Sequence, residues 1–127
     1  MSQWTHVAGI IRYDGNADFP HIRKGYIEAL EKNVPKGSEG PLEWRIWDNP
    51  DLDSMAAYVV TIWGDLRDFY EHDLDTLELW FRQCVEPENF LVRMAILLAD
   101  TGSRCRIWRA IERDEGGCDV HMVDLPL

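Results

Sequence analysis

A run of apolar residues from Met55 to Trp63 is the feature that most constrains the fold of this chain. Only Thr61 interrupts it, and β-branched and aromatic side chains are frequent in it. A short run that is apolar at nearly every position is typical of a strand in the middle of a sheet. We therefore predict a sheet with this run as a central strand that ends at Gly64-Asp65.

Apolar periodicity assigns the other elements. Alternation predicts strands at 4–13, 42–47, 90–99 and 104–111. Helical spacing predicts one helix from an N-cap at Asp18 to Val34, and a second helix with Asp75 as N-cap, Glu78 completing a capping box, and Pro87 at its end. The segment from Lys36 to Pro41 is predicted to be a loop.

The resulting order is β-α-β-β-α-β-β, and its first six elements are those of the ferredoxin-like split βαβ arrangement. We expect an α+β fold with an antiparallel sheet of about five strands and two helices on one face. Residues 1–111 are predicted to form a single domain. The rest of the chain, 112–127, is interpreted as an acidic C-terminal tail.

The two-residue period of a strand decides which side chains share a face of this sheet. The side chains predicted to face the helices are Val7, Ile11, Trp44, Ile46, Tyr58, Val60, Ile62, Met94, Ile96, Leu98, Cys105 and Ile107. The opposite face, which we call the open face, is predicted to carry Arg12, Arg45, Trp47, Trp63, Arg93, Arg104, Arg106 and Trp108. A shift of one residue in the register of any strand would move its side chains to the opposite face of the sheet.

The overall charge excludes some classes of partner. The formal net charge is -10, so the general field of the protein repels nucleic acid and anionic lipid, and we expect no duplex nucleic acid and no membrane as partners. No apolar run has the length that spans a bilayer, and the N-terminus has neither the basic nor the apolar region of a secretory signal. The expected location is therefore the cytoplasm.

Sequence motifs for catalysis or metal binding are missing. The three cysteines have no C-x-x-C spacing, and the four histidines form no metal-binding pair. Asp100-Thr101-Gly102 matches the aspartyl-protease triplet, but one copy cannot supply two carboxylates, and a hairpin turn is the preferred interpretation. We predict a protein that is not an enzyme and that has no cofactor and no metal site.

Arginines next to tryptophans are the remaining chemical signal. A guanidinium beside an indole can hold an aromatic, anionic ligand or anchor a protein partner. The predicted ligand-binding residues are Arg45, Trp47, Arg93, Arg104, Arg106 and Trp108, together with Arg67, which follows the central strand and either holds an anion or pairs with a neighbouring aspartate. The same face is also suited to subunit packing, so we expect a homo-oligomer.

Two segments resemble small proteins of tailed bacteriophages. They are the run Pro35-Lys36-Gly37-Ser38-Glu39-Gly40-Pro41-Leu42 and the run from Tyr58 to Asp68; the opening Trp4-Thr5-His6-Val7 is similar too. The resemblance covers about the first 70 residues. It implies a phage accessory protein, a group in which counter-defence is common, either by sequestering nucleotide immune signals such as cyclic ADP-ribose derivatives or by inhibiting a defence protein.

These observations lead to two hypotheses about function. The first is a non-enzymatic phage protein, active in the host cytoplasm, that antagonises defence by binding a nucleotide-derived signal. The alternative is an acidic inhibitor or immunity protein that blocks a defence protein, nuclease or toxin directly. Its contact residues would be the carboxylates of the segment after the central strand: Asp65, Asp68, Glu71, Asp73 and Asp75.

Overall fold

Antiparallel strands and two helices make up the fold in a computed structural model, which describes residues 3–15, 20–48 and 56–126. The elements follow along the chain as β1 (Trp4–Gly15), α1 (Pro20–Glu31), β2 (Lys36–Gly37), β3 (Gly40–Pro41), β4 (Glu43–Asp48), β5 (Ala56–Arg67), a 3-10 turn (Glu71–Asp73), α2 (Leu74–Val85), β6 (Val92–Asp100), β7 (Arg104–Glu112) and β8 (Cys118–Pro126). Neither helix in this part of the chain is long and apolar enough to cross a membrane.

The large sheet has the strand order β4-β5-β1-β6-β7-β8, and every neighbouring pair is antiparallel. Both helices contribute side chains to one core on a single face of this sheet. Ile11, Val60 and Leu97 from the central strands are fully buried there, as are Leu30 of α1 and Phe81 of α2. The α+β class with a large antiparallel sheet and two helices is confirmed.

The predicted count of about five strands is wrong. The described large sheet has six strands, and β2 and β3 pair as a second, two-stranded sheet where a loop was expected. The sixth strand, β8, comes from the segment interpreted as a tail, and it pairs with β7 from Arg104↔Pro126 to Glu112↔Cys118. Most of its side chains are exposed, because β8 is an edge strand, so its sequence lacks the apolar signal of a buried strand.

The second helix begins earlier than predicted. Its N-cap is Asp73, and Asp75 lies in the first turn. The Asp73 carboxylate accepts the Tyr70 backbone N–H at 2.8 Å, whereas Glu78, the expected partner of Asp75, accepts the Trp108 indole N–H at 2.9 Å. The apolar stripe of this helix is confirmed, since Leu77, Trp80, Phe81, Cys84 and Val85 are all buried.

Side chains of α2 stabilise the end of α1. The Trp80 indole donates to the Leu30 carbonyl at 3.0 Å, and the Gln83 amide donates to the carbonyl of Ala29 at 2.7 Å and to that of Lys32. These bonds satisfy carbonyls that the last turn of a helix leaves without partners. The helix accordingly ends at Glu31, before the predicted Val34. The predicted N-cap, Asp18, lies outside the described residues.

The predicted face of each strand is right for β1, β4 and β5 and wrong for β6 and β7. In β6 the buried side chains are Ala95, Leu97 and Ala99, so Met94, Ile96 and Leu98 lie on the open face. In β7 the fully buried residue is Trp108, which brings Arg104 and Arg106 to the helix side. The physical reason is that β6 is apolar at every position from Met94 to Ala99, so alternation does not distinguish its two faces.

The turn between β6 and β7 confirms the structural interpretation of Asp100-Thr101-Gly102. The Gly102 backbone N–H donates to the Asp100 carboxylate at 2.7 Å, and the Thr101 N–H donates to the Arg104 carbonyl at 3.0 Å. Gly102 has a φ of 92°, which few other residues adopt. The triplet therefore closes a hairpin.

Gly37 allows the β2–β3 hairpin to contact the end of β5. A Cβ atom at Gly37 would lie 2.6 Å from both the backbone nitrogen and the backbone oxygen of Arg67, and the neighbouring Ser38 N–H donates to the Arg67 carbonyl at 2.8 Å. We expect Gly37→Ala to lower the free energy of unfolding by about 1–3 kcal/mol, because the methyl group meets backbone atoms that have little room to shift. Urea titration measures this loss. Gly25→Ala is the control, since its Cβ would meet only Phe90 at an ordinary 3.7 Å, and an equal loss in both variants would contradict the expectation.

Buried phenol and thiol groups make the fold sensitive to alkali. Burial raises the pKa of Tyr13, Tyr26 and Cys84, so the folded chain keeps these protons at a pH where the unfolded chain releases them. The free energy of unfolding is therefore expected to fall as the pH rises through the ordinary values of 9.0 for the thiol and 10.0 for the phenols. Urea midpoints at about pH 8 and about pH 10.5 measure the change. In Tyr13→Phe the midpoint should fall less between these two pH values than in the wild type. An unchanged midpoint would contradict this expectation.

Candidate binding face

The open face of the large sheet is the face opposite α1 and α2. Among the described residues, no helix or strand packs over it. The register places Trp63, Ala8, Leu98, Ile107 and Val123 next to one another in a row across five strands. The open face is thus a continuous surface to which each strand contributes alternate side chains.

Arg45, Trp47, Thr61 and Trp63 form what we call the Arg/Trp edge, on strands β4 and β5. The Arg45 guanidinium lies over the Trp47 ring at 3.8 Å, and the Trp47 indole N–H donates to the Thr61 hydroxyl at 3.0 Å. Trp47 is 46% exposed and Trp63 is 43% exposed. The structure therefore offers two half-exposed indoles near one guanidinium, with one of the rings fixed by a hydrogen bond.

Arg45 has no carboxylate partner among the described residues. In the same part of the chain, by contrast, six arginines lie within ion-pair distance of an Asp or Glu: Arg12, Arg67, Arg82, Arg104, Arg106 and Arg113. A guanidinium that stacks on an indole and keeps its N–H groups unpaired is suited to bind an added anion.

Arg67 and Arg93 lie apart from the Arg/Trp edge. Arg67, at the end of β5, donates to the Glu39 carboxylate at 2.9 Å and lies 5.8 Å from the centre of the Trp4 ring. This is an ion pair within the chain, with Glu39 as a partner. Arg93 is exposed where the pairing of β1 with β6 shifts register, between Tyr13↔Val92 and Arg12↔Met94.

The other three predicted ligand residues lie on the helix side of the sheet, which corrects their placement on the open face. Trp108 is fully buried in the core. Arg106 binds both oxygens of Asp124 at 3.0 Å, and this pair lowers the pKa of Asp124 and raises that of Arg106. Arg104 lies 3.4 Å from Glu71. Sequence reasoning therefore combined residues from opposite faces, and the structure leaves only Arg45 and Trp47 of the predicted set together.

Six apolar side chains that are not among the predicted ligand residues lie beside the Arg/Trp edge. We call them the apolar centre of the open face, and they are Ile10, Met94, Ile96, Leu98, Ile107 and Val123. Met94 is 54% and Val123 is 52% exposed. Five of these six were predicted to be core residues or part of the tail.

The carboxylates proposed for an inhibitory surface are largely engaged within the chain. Asp65 contacts His6 at 2.6 Å, Asp68 accepts the Ser38 hydroxyl at 2.8 Å, and Glu71 lies near Arg104. Asp73 accepts the Tyr70 N–H. These contacts stabilise the connection from β5 to α2, so the acidic inhibitor remains a prediction with no structural observation in its favour.

A cleft of about 600 Å³ lies between the end of α1 and the start of α2, and it was not predicted from the sequence. Gln83, Trp80 and Asp73 contribute polar groups to its lining, and these groups already bond the ends of the two helices. Elsewhere in the described ranges, no three His, Cys, Asp or Glu side chains lie close enough to hold a metal ion. The open face therefore remains the candidate site with unengaged groups.

Comparison with protein-family models, with curated proteins and with solved structures gave no match to this chain.

Proposed function

We propose that the protein acts by binding, and that it captures an anionic aromatic molecule of the nucleotide class on the Arg/Trp edge. The observation that carries this proposal is the Arg45 guanidinium, stacked on Trp47 at 3.8 Å and without a carboxylate partner in the described part of a chain whose net charge is -10. Carboxylates are abundant in this chain, yet none of the described ones accepts the N–H groups of Arg45. These groups can therefore donate to the anionic group of a ligand.

The indoles supply the second part of the recognition. Stacking of a base on an aromatic side chain contributes about 1–3 kcal/mol, and the half-exposed ring of Trp63 is available for it. A phosphate would accept N–H groups of Arg45 while the base stacks on Trp63. Both contacts are needed for useful affinity on a surface as open as a sheet face.

The biological role follows from the resemblance to phage proteins. In that role the chain sequesters a nucleotide-derived immune signal in the host cytoplasm without converting it, and so antagonises defence.

We also propose the ferredoxin-like arrangement for six elements of the fold, which are β1, α1, β4, β5, α2 and β6. It is supported by the order β4-β5-β1-β6 and by the helices that connect β1 to β4 and β5 to β6.

Isothermal titration with ADP, cyclic ADP-ribose and adenosine tests the proposed function. We expect the phosphorylated probes to bind more tightly than adenosine, and Arg45→Ala and Trp63→Ala each to weaken binding about tenfold or more. Arg109→Ala is the matched control, because it removes the same charge from the same face at β7 and should change affinity little. Equal loss in Arg45→Ala and Arg109→Ala, or equal binding of adenosine, would contradict the proposal.

A further inference from the structure

We infer that the apolar centre of the open face is the contact surface of a homodimer in which two copies of the large sheet pack face to face. The inference does not rest on the proposed ligand, but the two share the open face: a second sheet packed over it covers Trp63 and Arg45, so the dimer contact and the ligand compete for this face. Three features support the dimer: the apolar character of the face, the charges around it, and its size.

The apolar centre has the composition of an interior surface. Ile10, Ile96, Leu98 and Ile107 lie in adjacent strands, and the exposed side chains of Met94 and Val123 extend the patch on either side of them. On a protein of 127 residues, contiguous apolar patches of this kind mark an interaction site. A second sheet packed about 10 Å away would bury these side chains as in a β-sandwich.

The charges on this face identify a second copy as the occupant. Alternation assigns to it four arginines and five carboxylates among the described residues: Arg12, Arg45, Arg67, Arg109, Asp14, Glu43, Asp65, Asp100 and Asp119. The face is therefore nearly neutral, although the chain has a net charge of -10. The negative charge lies on the rest of the protein surface, and a basic partner would bind there and not on the open face. A second copy of the chain, by contrast, can contact the open face without bringing these negative surfaces together.

The charged rows are also complementary to themselves. Asp65 and Asp100 flank His6 in one row, Arg45 and Arg109 lie in another, and the apolar row through Leu98 separates the two. A two-fold axis that crosses the strands at this apolar row brings the aspartate row of one copy toward the arginine row of the other. Such an isologous contact uses the same patch twice.

The size of the face suits a stable dimer. Six strands about 4.8 Å apart, most of them near nine residues long, span roughly 24 by 30 Å. The resulting area of about 700 Å² is close to the roughly 800 Å² that each partner contributes to a standard interface.

Sedimentation equilibrium of the full chain tests the dimer. We expect the wild type to be dimeric at about 10 µM, and Met94→Lys and Val123→Lys each to raise the dissociation constant about 30-fold or more, because each buries an unpaired charge at the interface. Both residues are more than half exposed in the single chain, so circular dichroism should show an unchanged fold. Met94→Gln, which adds no charge, is a milder second variant that should weaken the dimer less.

Leu79→Lys provides the control, since Leu79 is 66% exposed on α2 and the substitution changes the charge equally. It should leave the dimer intact. A monomeric wild type at about 100 µM would overturn the inference, as would dimers that persist in both open-face variants.

Discussion

Replacement of Trp108 by alanine is expected to lower the free energy of unfolding by about 3–5 kcal/mol. The indole is fully buried, it neighbours Leu97 and Met122 across two strands, and its N–H donates to Glu78 at 2.9 Å. Alanine removes the packing of a large side chain and leaves a cavity in the core. Urea denaturation followed by circular dichroism measures the loss.

Two further variants separate a core role of Trp108 from a ligand-binding role. Trp63→Ala removes a half-exposed indole from the open face and should cost less than about 1 kcal/mol. Trp108→Phe keeps an aromatic ring but removes the indole N–H that donates to Glu78, which retains its ion pair with Arg82, and should have an intermediate effect of about 1–3 kcal/mol. Equal stability losses in Trp63→Ala and Trp108→Ala would contradict the placement of Trp108 in the core.

Tyr13→Ala is expected to lower the free energy of unfolding by about 3–5 kcal/mol, as much as Trp108→Ala. The Tyr13 ring is fully buried, stacks on Tyr26 at 3.8 Å, and meets Phe90 edge-on at 6.0 Å. Its hydroxyl donates to the Cys84 carbonyl at 2.6 Å, which joins β1 to α2. Urea titration gives the loss directly.

The hydroxyl and the ring of Tyr13 can be separated experimentally. Tyr13→Phe keeps the stacked pair and removes only the bond to Cys84, so its cost should be about 1–3 kcal/mol. Tyr70→Ala is the exposed control, since Tyr70 is 43% exposed, and it should change stability by less than about 1 kcal/mol. A loss in Tyr13→Phe as large as in Tyr13→Ala would contradict the importance of ring stacking.

Much of the fold follows from local patterns in the sequence. Residues 56–63 of the central run lie in β5, a strand with neighbours on both sides that continues past the predicted end at Gly64-Asp65 to Arg67. The helix α2 buries the predicted stripe of Leu77, Trp80 and Phe81. In α2 apolar side chains recur with one clear period and a single face is buried, whereas the run in β5 is recognised as a strand because it is short and apolar at nearly every position. Such patterns depend little on distant residues, which is why they predict the elements well.

The faces of β6 and β7 could not be predicted in the same way. A strand that is apolar on both sides, as β6 is from Met94 to Ala99, has no alternation that assigns its register. The orientation of β7 depends on the contact of Trp108 with Glu78, two residues that are 30 positions apart. The edge strand β8 exposes most of its side chains and resembles a tail in composition.

The candidate site was partly predictable for the same reasons. Arg45 and Trp47 lie two residues apart in a short alternating strand, so their common face follows from the sequence. Pairing of Arg106 with Asp124 and of Arg67 with Glu39 depends on contacts between distant segments. Only the structure distinguishes arginines that are already paired from Arg45.

The most direct test of the open face as the binding surface is a titration of the ¹⁵N-labelled protein with ADP, followed through its six indole N–H signals by nuclear magnetic resonance. The signals of Trp47 and Trp63 should move with the added ligand, while those of the buried Trp80 and Trp108 should stay in place. Movement of the Trp108 signal without the other two, or no movement of any signal at about 1 mM ADP, would contradict the proposed binding surface.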